Sequence, residues 1–523
     1  MYTKQAKIVA VLTVTAAMLC VPIAQSFQGA EPVWSLTATM DREPVAAPNP
    51  VTDPATTASC NGDIQLSSAG EDDEHPTVIR AADGSYVAAW ERQLGALEGH
   101  IYFMRSTDGS SWSELFNTNT GDMASNLQNW PVLVSPPGGD VMYGAWNDRT
   151  AQSIYVMYAP DPADPGTWEI GALDHSGYDS ERSSFSGAAM SDTTWGWAYV
   201  GHVEYAGYDL PSAIEAEFQL GAWEEAVFSW TGDQFFPLSY NADMAATPNH
   251  FWQTWDYENE TSGGHGIGIH WGDPNEEGDM ALWPVKTWEG NDPYMDPAIG
   301  ASGSNLCVVY MSQNPTFGDW DLSCKYSSNE GETWQDGTFP AESQVDDMHP
   351  EIFMSGSSVY CAFIRDGNLY LAKSTDGGAT WEEPEQINDE DGTVVEEPSS
   401  LKVSQGGIVW TDNRNGNRDI YYEPLPAPNL GIDSVGGGVG VTATVSNTGT
   451  APAENVGWTI DLSGPVFLGN HAEGTIDTLA SGDTTTISTG LVFGIGPTTI
   501  SIEAGGATGS ASGFVLGPLV LGL

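Results

Sequence analysis

One long pattern recurs along this chain and restricts its possible folds. His75 to Trp112 reads HPTVIRAADGSYVAAWERQLGALEGHIYFMRSTDGSSW, and His349 to Trp381 reads HPEIFMSGSSVYCAFIRDGNLYLAKSTDGGATW. Each spells a strand, a turn, a second strand, a polar loop and a third strand that runs into a Ser/Asp/Gly turn. Related starts stand at Trp130-Pro131, Ser183, Phe236, Asp296-Pro297 and Glu397-Pro398. Seven units at a period of roughly 50 residues predict an all-β propeller of seven blades, with six as the alternative count. A unit of this size cannot bury its own apolar faces, so neighbours must stack.

The last unit supplies only three strand-like stretches, PSSLKV, GGIVW and DIYYEPL. The front of the repeat region, Asp63 to Pro76 (DIQLSSAGEDDEHP), resembles the segment between two units at Thr338 to Pro350 (TFPAESQVDDMHP). Asp63 to Ser67 is therefore expected to provide the fourth strand beside Asp419 to Leu425. Such an exchange closes a ring and removes its exposed sheet edges.

Flanking segments differ in character. Lys4 and Lys7, an apolar run from Ile8 to Ile23 and Ala24-Gln25-Ser26 predict a secretion leader over 1–26. Residues 27–58, rich in Pro, Ala and Thr, read as a linker. The propeller is expected over 59–427, and 428–523, with short alternating strands and Asn/Gly turns, as an Ig-like β-sandwich whose apolar end GFVLGPLVLGL is its last strand. After the leader, no run is long enough to cross a bilayer as a helix.

The formal charge is −56, and losing Lys4 and Lys7 with the leader makes it −58. So acidic a chain repels phosphate, which argues against a nucleic-acid partner. General solvation, a salt-rich habitat or a cation-binding surface would each account for the acids. No cofactor is expected. Clustered acids such as those from Glu71 to Glu74 can offer oxygen ligands to a divalent cation, calcium included, but no calcium loop of fixed spacing is present and solvated acid is the favoured reading.

Three turns share one form: Ser106, Asp108 and Trp112; Ser327, Asn329, Gly331 and Trp334; Ser374, Asp376, Gly378 and Trp381. Asp161 to Trp168 is a worn fourth version. The Asp or Asn side chain holds nearby amides, glycine takes the unusual torsion and Trp packs beneath. These turns resemble the Asp-box (BNR) repeat of the sialidase-like superfamily, over about two-thirds of the chain. The resemblance implies a propeller whose ligand face lies opposite the boxes. It implies less about activity, since one fold hosts many functions. It also implies an arginine in the segment opening the first blade, where this chain has Asp73-Glu74-His75-Pro76, so a grip on anionic sialic acid is in doubt. The C-terminal region is similar to Ig-like modules of secreted proteins.

On the face opposite the boxes, the candidate ligand-binding residues are Trp90, Arg92, Trp146, Asp148, Arg149, Trp255, Tyr310, Arg365, Trp410, Asp412 and Arg414. Open aromatic rings beside carboxylates and guanidiniums suit an extracellular glycan or surface polymer. The competing reading has the aromatics filling space between blades and the arginines pinning loops. No catalytic residue is assigned. A sialidase-type hydrolase and a structural or adhesive cell-surface protein are the alternatives to a binding propeller. Facing Met311 with Trp320 would set Cys307 opposite Cys324, for a cross-strand disulfide or two core thiols. Asn259-Glu260-Thr261 matches a glycosylation sequon.

Overall fold

The computed structural model describes residues 36–38, 56–57, 62–68, 70–95, 97–119, 123–174, 182–205, 208–220, 225–231, 238–258, 264–272, 286–289, 293–339, 344–426, 430–449, 453–480 and 482–523. The expected leader, most of the expected linker, Cys60 and the sequon lie outside them. Among the described residues there is no α-helix, and no helix long and apolar enough to cross a membrane. Two compact units divide the chain at Pro424/Leu425.

The first unit is a series of antiparallel meanders. One sheet holds Asp72–Arg80, Tyr86–Gly95, Glu98–Ser106 and Ser111–Asn117, with Thr56–Thr57 on its edge. Three more hold four strands each, starting at Gln128–Val134, Tyr294–Ser302 and Asp347–Ser355. The strands from Ser183–Ser191 to Glu225–Thr231 and from Leu238–Ala246 to Lys286–Glu289 are joined by one parallel bridge, Ser212 to Leu238, and with Leu36–Ala38 beside Glu225–Thr231 they make a nine-stranded sheet. Leu401–Ser404, Gly407–Asp412 and Asp419–Glu423 form the last sheet, and Ile64–Gln65 is its fourth strand, pairing with Tyr422 and Tyr421. The exchange is shorter than the five residues expected. Beyond the paired residues, Leu66 N donates to Ile420 O at 2.8 Å and Ile420 N to Ser67 Oγ at 2.8 Å.

Middle strands such as Met142–Asp148 are buried at every position. They read as continuous apolar runs because neighbouring sheets cover both faces. The core is accordingly a set of inter-sheet clusters, and the one containing Val78, Trp90 and Trp112 also contains Ile64, Val409, Ile420 and Tyr422.

The three box turns are built as local hydrogen-bonded devices. Ser374 Oγ donates to Asp376 Oδ1 (2.9 Å) and accepts from Gly378 N (2.9 Å), while Thr380 N donates to Asp376 Oδ1 (2.8 Å). Ser327 with Asn329, and Ser106 with Asp108, repeat the arrangement. Gly331 and Gly378 have φ of 77° and 100°, outside the range comfortable for a side chain. The tryptophans fasten adjacent sheets: Trp112 lies edge-on to Tyr422 at 4.9 Å, Trp334 to Trp288 at 5.3 Å, and Trp381 meets Phe339 at 4.9 Å.

Two expectations need correction. Met311 pairs with Leu322 rather than Trp320, because Gln313 takes Trp320 and the loop is shorter than assumed. Cys307 thus faces Tyr326, Cys324 faces Val309, and their sulfurs are unbonded thiols 3.4 Å apart. The apolar C-terminal end is not one strand but a hairpin, Ala507–Gly517 and Leu519–Leu521, turned at Gly517 (φ 60°) and Pro518.

The second unit packs a three-stranded sheet (Leu430–Gly436, Thr442–Asn447, Thr484–Ser488) against a seven-stranded one that runs from Gly438–Val439 through Leu519–Leu521, Ala507–Gly517, Phe493–Ala504 and Ala453–Ser463 to His471–Leu479, with Val466–Leu468 alongside. Val445, Ile460, Ile500 and Val515 lie in the core between them.

Candidate functional site

The strands Asp72–Arg80, Gln128–Val134, Ser183–Ser191, Leu238–Ala246, Tyr294–Ser302, Asp347–Ser355 and Leu401–Ser404 line one cavity of about 910 Å³. Just before it, each repeat has one non-glycine residue in the left-handed region: His75, Trp130, Ser184, Asn241, Asp296, His349 and Ser399, with φ between 49° and 60°. In six of the seven, the pairing register with the second strand slips at that point, the mark of a bulge. Left-handed torsions at residues bearing a Cβ cost roughly 1 kcal/mol or more each. Proline follows four of the seven, which disfavours the α region there. These bulges sit where the first strand begins, whereas the box turns follow the third strand, so the two lie at opposite ends of each sheet.

Ser184, Asn241, Asp296, His349 and Ser399 surround a narrow polar pit of about 20 Å³. Beneath them Lys402 reaches Glu351 Oε2 at 2.5 Å and Asp243 Oδ1 at 3.4 Å. Asp243 Oδ2 also accepts from Ile299 N (2.8 Å), and its Oδ1 from Ser186 Oγ. Asp243 and Lys402 line both pit and cavity, so this ion cluster separates them. Burial pushes the Glu351 carboxyl up to about 8 against the pull of Lys402. Burial also opposes the Lys402 charge, but Asp243 and Glu351 outweigh it and raise its pKa. Asp256, 1% exposed, is pushed to about 8 by burial and by the charge of Asp296. His349 Nδ1 lies 2.5 Å from Asp296 Oδ2.

Beside the pit, His75 stacks on Trp130 with ring centres 3.6 Å apart and sets Nδ1 2.9 Å from Glu91 Oε2. Burial works against the His75 charge, yet Glu91, Glu74 and Glu397 prevail and raise its pKa. Glu74, His75 and Glu91 present ligand atoms within 4.8 Å of one another and are the described residues that could hold a metal. Their charges already have protein partners: Arg418 pairs with Glu74 and Glu397, and Glu91 accepts from Trp130 N at 2.8 Å.

The residues singled out from sequence lie elsewhere, and their roles need correction. Trp90, Trp146, Trp255, Tyr310 and Trp410 are 0–3% exposed, the first four within the inter-sheet clusters and Trp410 stacked on Tyr421, so none offers an open ring face to a ligand. Arg92 forks onto Asp73 (2.7 and 3.0 Å) and lies 4.1 Å over Tyr102. Arg365 repeats this with Asp347 (2.6 and 2.8 Å) over Tyr370 at 4.9 Å. Arg414 forks onto Asp412 (2.9 and 2.6 Å), reaches Asp63 at 2.8 Å and covers Tyr421 at 4.0 Å. Asp148 accepts from Asn126 Nδ2 (2.7 Å) and Ala151 N (2.8 Å), and the neighbouring Arg149 N donates to Leu127 O, which ties that loop down. These are clamps built from the recurring Asp, Arg and Tyr positions, because a forked guanidinium matches a carboxylate and stacks on a ring at once.

The pit residues have no role in the sequence reading, although Asp296 and His349 stand among its unit starts and Ser184 follows another. The usable signal was a bulky or polar residue before proline, present at four of the seven bulge positions and at Asp296 and His349 in the pit.

No curated protein sequence matches the chain. Among solved structures, it is similar to the Hadza microbial sialidase Hz136 (12% identity, TM-score 0.37, covering 68% of this chain and 66% of that one). It is also similar to a Penicillium chrysogenum α-L-arabinanase complexed with arabinobiose (13%, 0.38, 71% and 99%) and a Trypanosoma rangeli sialidase complexed with the inhibitor DANA (10%, 0.34, 88% and 90%). Residues 222–429 match the BNR repeat-like domain. That match spans two of the three box turns, at Ser327–Trp334 and Ser374–Trp381.

Proposed function

We propose that the protein is a secreted, seven-bladed propeller, closed by its own N-terminal strand over about 59–427, that binds a neutral or cationic glycan across the polar pit. In this reading 1–26 is a leader, 27–58 a linker, and 428–523 an Ig-like spacer or attachment module. The observation that carries the ligand class is the charge state of the face around the pit. Arg92, Arg365, Arg414 and Arg418 are each consumed by carboxylates, while Asp296, Asn241, His349, Ser184 and Ser399 offer donors and acceptors. Such a rim suits sugar hydroxyls and opposes a carboxylate such as that of sialic acid.

Glycan-array screening followed by calorimetry tests this. Neutral glycans should bind, and Asp296→Asn and His349→Gln should weaken them at least tenfold while the fold is retained. Turnover of a fluorogenic sialoside, abolished by single arginine substitutions, would sink the reading. A second reading, a glycoside hydrolase, rests on Glu351 and Asp243. Both contact one ammonium, and burial raises the Glu351 carboxyl in the direction a general acid requires. Release of reducing sugar that disappears in Glu351→Gln would favour it.

A further inference from the structure

The outward face of the seven-stranded sheet in the second unit is apolar where a solvated sheet would be polar. Phe493–Ala504 alternates exposed and buried at every position, so its odd-numbered residues face out. Register carries one apolar row across four strands: Val439 beside Leu519, Leu519 beside Leu516, Leu516 beside Ile495. Phe514 and Leu521 pair in the next row. All six are 40–67% exposed, and Phe493 and Leu468 extend the patch at 50% and 56%. Farther along the same face the outward residues turn polar, with Ser512 opposite Thr499, Ser510 opposite Ser501 and Thr508 opposite Glu503.

At these exposures the patch offers on the order of 800 Å² of apolar surface, above the roughly 300–600 Å² usual for a monomer and near what each partner buries in a standard interface. Its charge pattern selects the occupant. The strands Gly438–Val439, Val466–Leu468, Ala507–Gly517 and Leu519–Leu521 contain no ionisable side chain, and Glu503 is the one in Phe493–Ala504, at its polar end. Residues 430–523 contain no Lys or Arg to engage anionic lipid headgroups. A second copy can meet this face without bringing its carboxylates together, an uncommon opportunity on a chain of charge −56.

We propose that the protein self-associates through this face, two copies packing the apolar halves of their seven-stranded sheets together about a two-fold axis. The contact sets two propellers on one dimer, which raises avidity for a repeating polymer.

The test is sedimentation equilibrium of the full exported chain in about 1 M KCl, where charge is screened within roughly 3 Å. A dimer is expected at micromolar concentration, weakening as salt is lowered. Leu516→Glu/Leu519→Glu should be monomeric with unchanged circular dichroism, whereas Ser510→Glu, in the polar half of the same face, should remain dimeric. Ile495→Cys, near the centre of the patch, should give a covalent dimer on oxidation. A wild-type monomer at 100 times that concentration, a dimer unaffected by the double substitution, or flotation with zwitterionic lipid vesicles in place of dimerisation would each overturn the proposal.

Discussion

Replacing Arg365 by alanine would separate a structural clamp from a ligand contact. Asp347 is 0% exposed and receives both arms of the guanidinium, so the substitution leaves a carboxylate in the interior without its cation. Burial already raises the Asp347 pKa above its ordinary 3.8, and loss of Arg365 raises it further. The folded protein can escape by taking up a proton, and that escape caps the cost. At about 1.36 kcal/mol per pH unit above 3.8, the cap is about 4 kcal/mol at pH 7 and about 1.6 kcal/mol at pH 5. The sign follows from a folded pKa raised above the unfolded one, so stability falls as pH climbs from 3.8 toward the folded value. At roughly 2 °C per kcal/mol for a unit of this size, calorimetry at a fixed scan rate should show Tm losses of at most about 8 °C at pH 7 and about 3 °C at pH 5. Arg365→Ala/Asp347→Asn should recover most of the loss and flatten its pH dependence. An equal Tm loss at both pH values, or a double variant no better than the single, would refute the clamp.

Other outcomes follow from the same geometry. Asp376→Ala removes the acceptor for Thr380 N and Ser374 Oγ and should cost about 1–2 kcal/mol by urea denaturation, with Asp376→Asn milder because Asn329 serves the equivalent turn. Glu423 is pushed up to about 7 by burial and by the charges of Asp63 and Asp389. Its contribution to holding Ile64–Gln65 is therefore present at low pH and lost as pH rises from about 4.5 to 7, so amide exchange at 64–67, corrected for intrinsic rate, should be faster at pH 8 than at pH 6, and the difference should vanish in Glu423→Gln. Cys307, Cys324 and Cys361 should all react with a thiol reagent in unreduced, denatured protein, and a Cys307–Cys324 bond found by mass spectrometry would contradict the free-thiol state of the pair.

How much was legible from sequence depended on the distance over which each feature is made. The box turns close on themselves within eight residues, through side chains that bond their own backbone, and could be read letter by letter. All-β character and the pairing of Ile64–Gln65 with Tyr421–Tyr422 were also legible, because a repeat with a missing strand announces what must fill it. The cysteine register was not. A two-residue change in the loop before Trp320 shifts every partner, and several loop lengths are physically acceptable there.

Strand alternation identified Trp90, Trp146 and Trp410 as important without telling whether a neighbouring sheet covers them. That answer belongs to packing. The pit lies wholly on the tertiary side: Asp243, Glu351 and Lys402 are far apart in the chain and meet where the strands Leu238–Ala246, Asp347–Ser355 and Leu401–Ser404 come together, beside bulges that set Asp296 and His349 at the same opening. Local hydrogen bonding and side-chain periodicity act over a few residues, so the amino-acid order settled the turns and strands. Charge compensation in a buried cluster requires groups from separate sheets within a few ångströms, and only the assembled structure could decide which ones meet.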